Sequence, residues 1–264
     1  MEVNIDNTRW YERLLASFIF FTRLPFWRIK QPPQQCYKAV VEHWPLVGWL
    51  TGSIMASIIW FGSMAFPFPI ALLLAIVARI LITGALHEDG LADFCDGFGG
   101  GRDRAQILAI MKDSHIGTYG VLGLILYFAL LYVSLLSLQP FYAALAVLAG
   151  DAYSKMVAGQ IIMFLPYART EDTAKNHTVY RKFSVPAGIS LFLQGMIPMI
   201  PLLYIGISQG ILHWDLLIFI PCLVMYFLYL FINRRIHGYT GDCCGALFLI
   251  IELSFYITLA TQLA

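Results

Sequence analysis

Apolar runs of about 20 residues follow one another along most of the chain, parted by short polar interruptions. A helix rising 1.5 Å per residue needs about 20 such residues to cross a hydrocarbon layer of about 30 Å. The runs at 44–65, 67–86, 116–138, 140–165, 185–207, 211–232 and 242–263 reach that length and predict seven spans. The run LLASFIFFTRLPFW (14–27) is shorter, carries Arg23 and Pro25 and begins beside Trp10 and Tyr11. It predicts a helix lying in the interface or dipping into it. No repeat or low-complexity linker divides the chain, so residues 1–264 read as one all-α, polytopic membrane bundle.

Charge orients the bundle. With the N-terminus inside, six of the 17 basic residues precede residue 44, and nine fall in the loops 87–115, 166–184 and 233–241, Lys175 among them. The loops near 66, 139 and 208–211 carry none, so the loop at 87–115 is expected on the cytoplasmic side of an inner membrane. The charged share is 12%, against about 25% in soluble proteins, and a net charge of +1 without a basic tract excludes a nucleic-acid partner. Five cysteines have no zinc-ligand spacing and make no disulfide framework, and MEVNIDNTRWYER lacks the order of a cleaved signal. Charges that fall deep inside predicted spans include Arg79, Lys155 and Glu252. Lys155 and Glu252 come out nearly level, about 15 Å deep, and are expected to pair, with Asp151 as the alternative partner of Lys155.

The polar loop HEDGLADFCDGFGGGRDR (87–104) carries the chemistry. Asp89, Asp93 and Asp96 stand at i, i+4 and i+7, a single stripe on a helix. A hard divalent cation removes their mutual repulsion, and Mg²⁺ suits carboxylates that share it with phosphate and water. GFGGG (97–101) is expected to break the helix and offer backbone N–H groups to an anion. A second helix near 103–113, capped by Asp103, ends in Asp113, expected to fold back as a fourth ligand. His87 reads as a base or phosphate contact, or as an interfacial residue. A plain solvated loop has no reason to align three acids and add a glycine triplet, and a cation transporter would spread acids along several spans.

Near the C-terminus, GYTGDCCGA (238–246) spaces Gly241 and Gly245 for close helix approach and sets Asp242 at an N-cap position. The other reading gives Thr240 and Asp242 to substrate. Aromatic residues, 15% of the chain, read as lipid-facing and interfacial, not as a ligand box.

HEDGLADFCDGFGGG, followed by MKDSHIGTYGVLGL (111–124), resembles the signature of the cobalamin synthase family, the adenosylcobinamide-GDP ribazoletransferases. FFTRLPF (20–26), WPLVGWLTG (44–52), YAR (167–169) and GYTGDCCGALFLIIE (238–252) resemble further blocks of that family, in the same order, over nearly the whole chain. The resemblance implies a Mg²⁺-assisted substitution at phosphorus. A hydroxyl of α-ribazole, or of its 5′-phosphate, attacks adenosylcobinamide-GDP, GMP leaves, and adenosylcobalamin or its 5′-phosphate forms. It implies Asp89, Asp93, Asp96 and Asp113 as metal ligands, and His87, Asp89 and Asp93 as catalytic groups. Glu88, Arg102, Lys112, Ser114, Thr240 and Asp242 would then face substrate. Membrane lipid is the other expected partner. Three positions depart from the pattern: Glu88 where many relatives have Leu, His115 where they have Arg, and Lys155 where Arg would offer a two-pronged fork. Lys112 is the expected substitute for the missing Arg, and Asp151 matches no family position. CDP-alcohol phosphotransferases share the style of chemistry, but their D-x-x-D-G-x-x-A-R opening is absent.

Overall fold

The computed structural model describes residues 8–169 and 179–263, so Lys175 and the first seven residues lie outside the described residues. Twelve α-helices occur among those described: α1 (Trp10–Phe21), α2 (Trp44–Ala65), α3 (Phe68–Thr83), α4 (Leu86–Gly100), α5 (Arg104–Lys112), α6 (Thr118–Leu136), α7 (Pro140–Gly159), α8 (Ile161–Phe164), α9 (Val185–Met196), α10 (Ile200–Ser208), α11 (Trp214–Ile236) and α12 (Gly241–Leu263). Proline opens α2, α3, α7 and α9 at N1 or N2, where its missing N–H costs nothing. The short α1, about 18 Å long, is below a spanning length and packs on the 3₁₀ segment 34–43 that leads into α2.

Five segments are long and apolar enough to cross a membrane: 34–65, α6, 185–208, α11 and α12. The bent pair α3 and α4 makes a sixth if counted as one span. This is the architecture of a multi-pass membrane protein, one span short of the seven expected. The difference is α7, whose 20 residues include Asp151 and Lys155. It forms the centre of the bundle, buried from Ala143 to Gly159 except at Leu145 and Leu148, and packs against α2, α9 and α12. A helix enclosed by other helices has no need of a uniformly apolar surface.

The predicted span 67–86 stops at Thr83. Gly84 and Ala85 both take left-handed conformations, with φ of 66° and 57°, and turn the chain by 88° into α4. Ala85 does so against its Cβ, a strain of about 1 kcal/mol that the surrounding packing must hold. The expected helix break at GFGGG is absent: α4 continues through Gly100, and the glycines instead admit neighbours. A Cβ on Gly97 would overlap Met111, one on Gly101 would overlap Ile107, and one on Gly99 would stand 2.6 Å from the Tyr119 ring. Close packing of α5 and of the start of α6 therefore replaces the anion-binding loop.

The buried charges are paired crosswise to expectation. Lys155 pairs with Asp151 one turn away, and Asp151 also accepts a 2.7 Å bond from the Thr51 hydroxyl. Glu252 takes both its oxygens to Arg79 Nη1 at 2.7 Å, and its other contacts are the hydroxyls of Tyr127 and Tyr256 at 3.0 and 2.9 Å. Level depth along two helices did not place their side chains face to face. Arg79 reaches Glu252 because α3 and α12 both flank α6.

Candidate active site

The elbow at Gly84–Ala85 starts α4 with three consecutive polar residues, and residues on a helix step by about 100°. His87, Glu88 and Asp89 therefore enter three different surroundings. Asp89 is exposed and lines a cavity of about 140 Å³ bounded by α1, α2, α4, α12 and the segments around Tyr167 and Tyr180. His87 is buried in the cavity wall, 3% exposed. Its ring lies with those of Phe21 and Trp44 in a set whose planes are within 24° of parallel and whose centroids are 5.2 to 6.0 Å apart, and Phe248 meets it edge-on at 4.8 Å. Its Nε2 is buried with no hydrogen-bond partner. Glu88 turns the other way: one oxygen lies 3.8 Å from Arg79 Nη2, and Oε2 has no partner.

The opposite rim belongs to α12. A Cβ on Gly90 would stand 3.1 Å from the Asp242 carbonyl, and one on Gly245 3.2 Å from the His87 carbonyl, so the two helices cross backbone to backbone. That crossing sets Asp242 on the same cavity as Asp89. The N-cap of α12 is Thr240 and not Asp242: the helix begins at Gly241, and the Thr240 hydroxyl accepts from Cys243 N–H at 3.3 Å. Thr240 is buried in that role, and Asp242 is left at the rim. On the third side, Pro166 and Ala168 exchange backbone hydrogen bonds with Tyr239, which stands Tyr167 edge-on to Tyr239 at 5.1 Å. Burial pushes the Tyr167 phenol up to about 12 and Tyr180 well above its ordinary value, so both line the cavity as neutral groups.

The acid stripe divides along its length. Asp93 sits one turn beyond Asp89, half-buried. Asp96 is buried, and its two oxygens accept from Gly117 N–H at 2.7 Å and Gly120 N–H at 2.8 Å, capping the start of α6. Asp113 is exposed on the turn after α5, where it bonds His115 Nδ1 at 2.6 Å and its backbone N–H at 3.0 Å. No cluster of three acidic, His or Cys side chains able to hold a metal ion occurs among the described residues. Asp89 and Asp242, which line the same cavity, fit a different kind of site, in which one or two carboxylates share a cation with substrate phosphates and water. Arg102, Lys112 and Ser114 are exposed and outside the cavity lining, and Asp103 caps α5 by accepting from Gln106 N–H at 2.9 Å.

The aromatic walls are what reading the sequence missed. Phe20, Phe21, Trp44, Tyr167 and Tyr180 have the composition of lipid-facing residues, and nothing local separates them from the many exposed aromatics. Their signal was positional. The blocks at 20–26, 44–52, 87–101, 167–169 and 238–252 are far apart in sequence, yet each contributes to this cavity. A larger apolar groove of about 700 Å³ between α7, α9 and α11 has no charged lining residue.

The sequence profile of the family described as cobalamin-5-phosphate synthase matches residues 13–260. An adenosylcobinamide-GDP ribazoletransferase of Shewanella frigidimarina is 36% identical over 95% of this chain and 96% of its own length. The proteins of the same name from Leptospira interrogans and Vibrio parahaemolyticus are 34% and 33% identical, each over 94% of this chain and over 94% and 91% of their own. No solved structure matches the chain. With a profile match across nearly its full length and relatives of equal extent, this chain belongs to the cobalamin-5-phosphate synthase family of enzymes.

Proposed function

We propose that the protein transfers the cobinamide phosphate of adenosylcobinamide-GDP to a ribose hydroxyl of α-ribazole or its 5′-phosphate, with release of GMP. The observation that carries this reading is the convergence of five separated blocks that resemble the family, at 20–26, 44–52, 87–101, 167–169 and 238–252, on one carboxylate-rimmed cavity. A new P–O bond forms to the nucleoside, the bond between the two phosphorus atoms' bridging oxygen and the cobinamide phosphorus breaks, and the hydroxyl proton must be taken up. Asp89, exposed at the rim, is the carboxylate available to accept it. Asp89 and Asp242, with Asp93 one turn along, would hold Mg²⁺, which when bound supplies positive charge against the phosphoryl oxygens and the departing GMP. Asp96 and Asp113 have other duties in this reading. Arg102 and Lys112, exposed beyond the rim, add attraction for an anionic substrate.

Purified protein given Mg²⁺, adenosylcobinamide-GDP and α-ribazole should release GMP in proportion to corrinoid product; absence of GMP with all three present would refute the reading. The charge census supports an inner-membrane protein with the cavity on the cytoplasmic side. A cysteine at Ser114, exposed after α5, is then labelled by an impermeant thiol reagent only after permeabilisation. One at Gln209, exposed at the end of α10, reacts in intact cells.

A further inference from the structure

The cavity is small and its walls are flat. An enclosed void of about 150 Å³ lined by apolar groups holds benzene, so about 140 Å³ with an open rim is on the scale of one small aromatic group and far below that of a corrin macrocycle. The near-parallel rings of Phe21, Trp44 and His87, each 5% exposed or less, stand in the wall of the cavity, and aromatic rings pair with such rings by offset stacking or edge to face. Within that wall, His87 is a polar ring that is 3% exposed and whose Nε2 has no partner, an unusual expense unless something else completes it.

We infer that this cavity is the subsite for the base of the nucleoside substrate, a benzimidazole-type ring stacked against Phe21 and Trp44 and hydrogen-bonded by His87. The inference rests on the proposed transferase reading and extends it to a specificity-determining residue. Three substrate parts carry planar aromatic bases, the guanine, the adenine of the adenosyl group and the base of the nucleoside, and both purines have the more polar edges. Guanine carries a ring N–H, an amino group, a carbonyl oxygen and free ring nitrogens, all of which need partners when buried. A glycosylated benzimidazole carries one free ring nitrogen, an acceptor, on an otherwise apolar edge. The side formed by Phe20, Phe21, Val41, Trp44 and Leu86, with one uncommitted imidazole, matches the second pattern, while the phenols of Tyr167 and Tyr180 line another side and Asp89 and Asp242 stand at the rim. A neutral imidazole has one N–H to donate, and the nucleoside has one nitrogen to receive it. Asp89 and Asp242 at the rim would then lie beside the ribose and the reacting phosphate, where the base leaves the cavity. His87 thus reads as a base-binding residue, not as the proton acceptor.

The test is a cycle of two nucleosides and two enzymes in detergent, scored by GMP release. The nucleosides are α-ribazole and its indole counterpart, in which the free ring nitrogen is CH; the enzymes are the wild type and His87→Phe. Wild type should use the indole nucleoside about tenfold less well in kcat/KM, the value of one buried hydrogen bond. His87→Phe should lose about tenfold on α-ribazole and nothing on the indole analogue, with KM for adenosylcobinamide-GDP unchanged. Equal losses on both nucleosides would make His87 a packing residue and overturn the inference. A rise confined to the KM for adenosylcobinamide-GDP would assign the cavity to guanine and overturn it as well. Should His87→Phe fail to fold, wild-type tryptophan fluorescence decides: α-ribazole should quench it, with the quench lost in Trp44→Phe, and GMP should not compete. Competition by GMP would overturn the subsite. If the wild type binds α-ribazole in this way yet releases no GMP, the transferase reading fails and the subsite stands.

Discussion

The two halves of α4 carry acids on the same stripe and use them for opposite purposes. Asp89 and Asp96 are seven residues apart, so they share a helix face while standing about 10 Å apart along the axis. At the first turn that face opens on the cavity opposite α12. Two turns later it is covered by the start of α6, whose Gly117 and Gly120 amides take both oxygens of Asp96. Spacing reports which face a residue occupies; what covers the face is decided by segments elsewhere in the chain. One carboxylate is therefore available for chemistry and the other is spent on holding a helix end.

The largest expected contrast comes from amide replacements at these two positions. Asp89→Asn keeps the shape of the rim and removes a charge proposed to act on the metal and the proton, so kcat should fall by about 10²–10³ with the unfolding midpoint unchanged. Asp96→Asn should do the reverse. Hydrogen bonds to a charged acceptor are worth about 1.5–3 kcal/mol, so the loss should appear in thermal stability in detergent, with the folded fraction retaining turnover. An Asp96 variant that is fully stable and inactive would erase the difference between the two halves and return Asp96 to the metal.

How far this division was readable depends on the kind of signal. The apolar runs set the spans because length against bilayer thickness is a local property; α2, α6, α11 and α12 lie close to where the pattern puts them. The elbow was invisible, since Ala85 gives no hint of a positive φ and LITGAL continues the apolar run of α3. The glycine triplet was misread for a related reason. Glycine serves both to break a helix and to admit a neighbour, and the neighbours, Ile107, Met111 and Tyr119, belong to later elements. In the same way the partners of Lys155 and Glu252 depended on which way each helix is rotated, a quantity that depth along the axis does not contain.

A smaller effect separates the first turn of α4 within itself. Glu88 is buried beside Arg79, but Arg79 is already committed to Glu252 and Tyr127, and Glu88 Oε2 has no partner. A half-satisfied buried carboxylate stabilises little, and replacement of such a group by an apolar one is often neutral or favourable. Glu88→Leu should therefore shift stability by within about 1 kcal/mol, or raise it, and leave GMP release near the wild-type rate. A loss of activity with KM for either substrate raised would mean that Glu88 reaches the cavity after all, and the three-way divergence of His87, Glu88 and Asp89 would need revision.

The smallest effect is expected at Asp113, the expected fourth ligand, which lies beyond the stripe and is occupied by its own turn. Its hydrogen bond to His115 holds the carboxyl below the usual range and the imidazole above it, both groups being exposed. A raised imidazole contributes to stability fully below its ordinary midpoint near 6.5, and the contribution fades as pH rises through the raised value. The lowered carboxyl contributes above its ordinary midpoint and fades as pH falls below it. The pair is therefore strongest in mildly acidic solution, and because water screens it, the change in stability should be at the limit of measurement. The titration itself is measurable. NMR of His115 should give a midpoint above that of a free imidazole, Asp113→Asn should bring it down, and both proteins should release GMP at similar rates. Addition of Mg²⁺ is the decisive step: with Asp113 engaged only by His115, the midpoint should not move. A downward shift on adding Mg²⁺, matched by loss of turnover in Asp113→Asn, would mean that the turn folds back onto the rim and that the cation draws on both ends of the acidic segment.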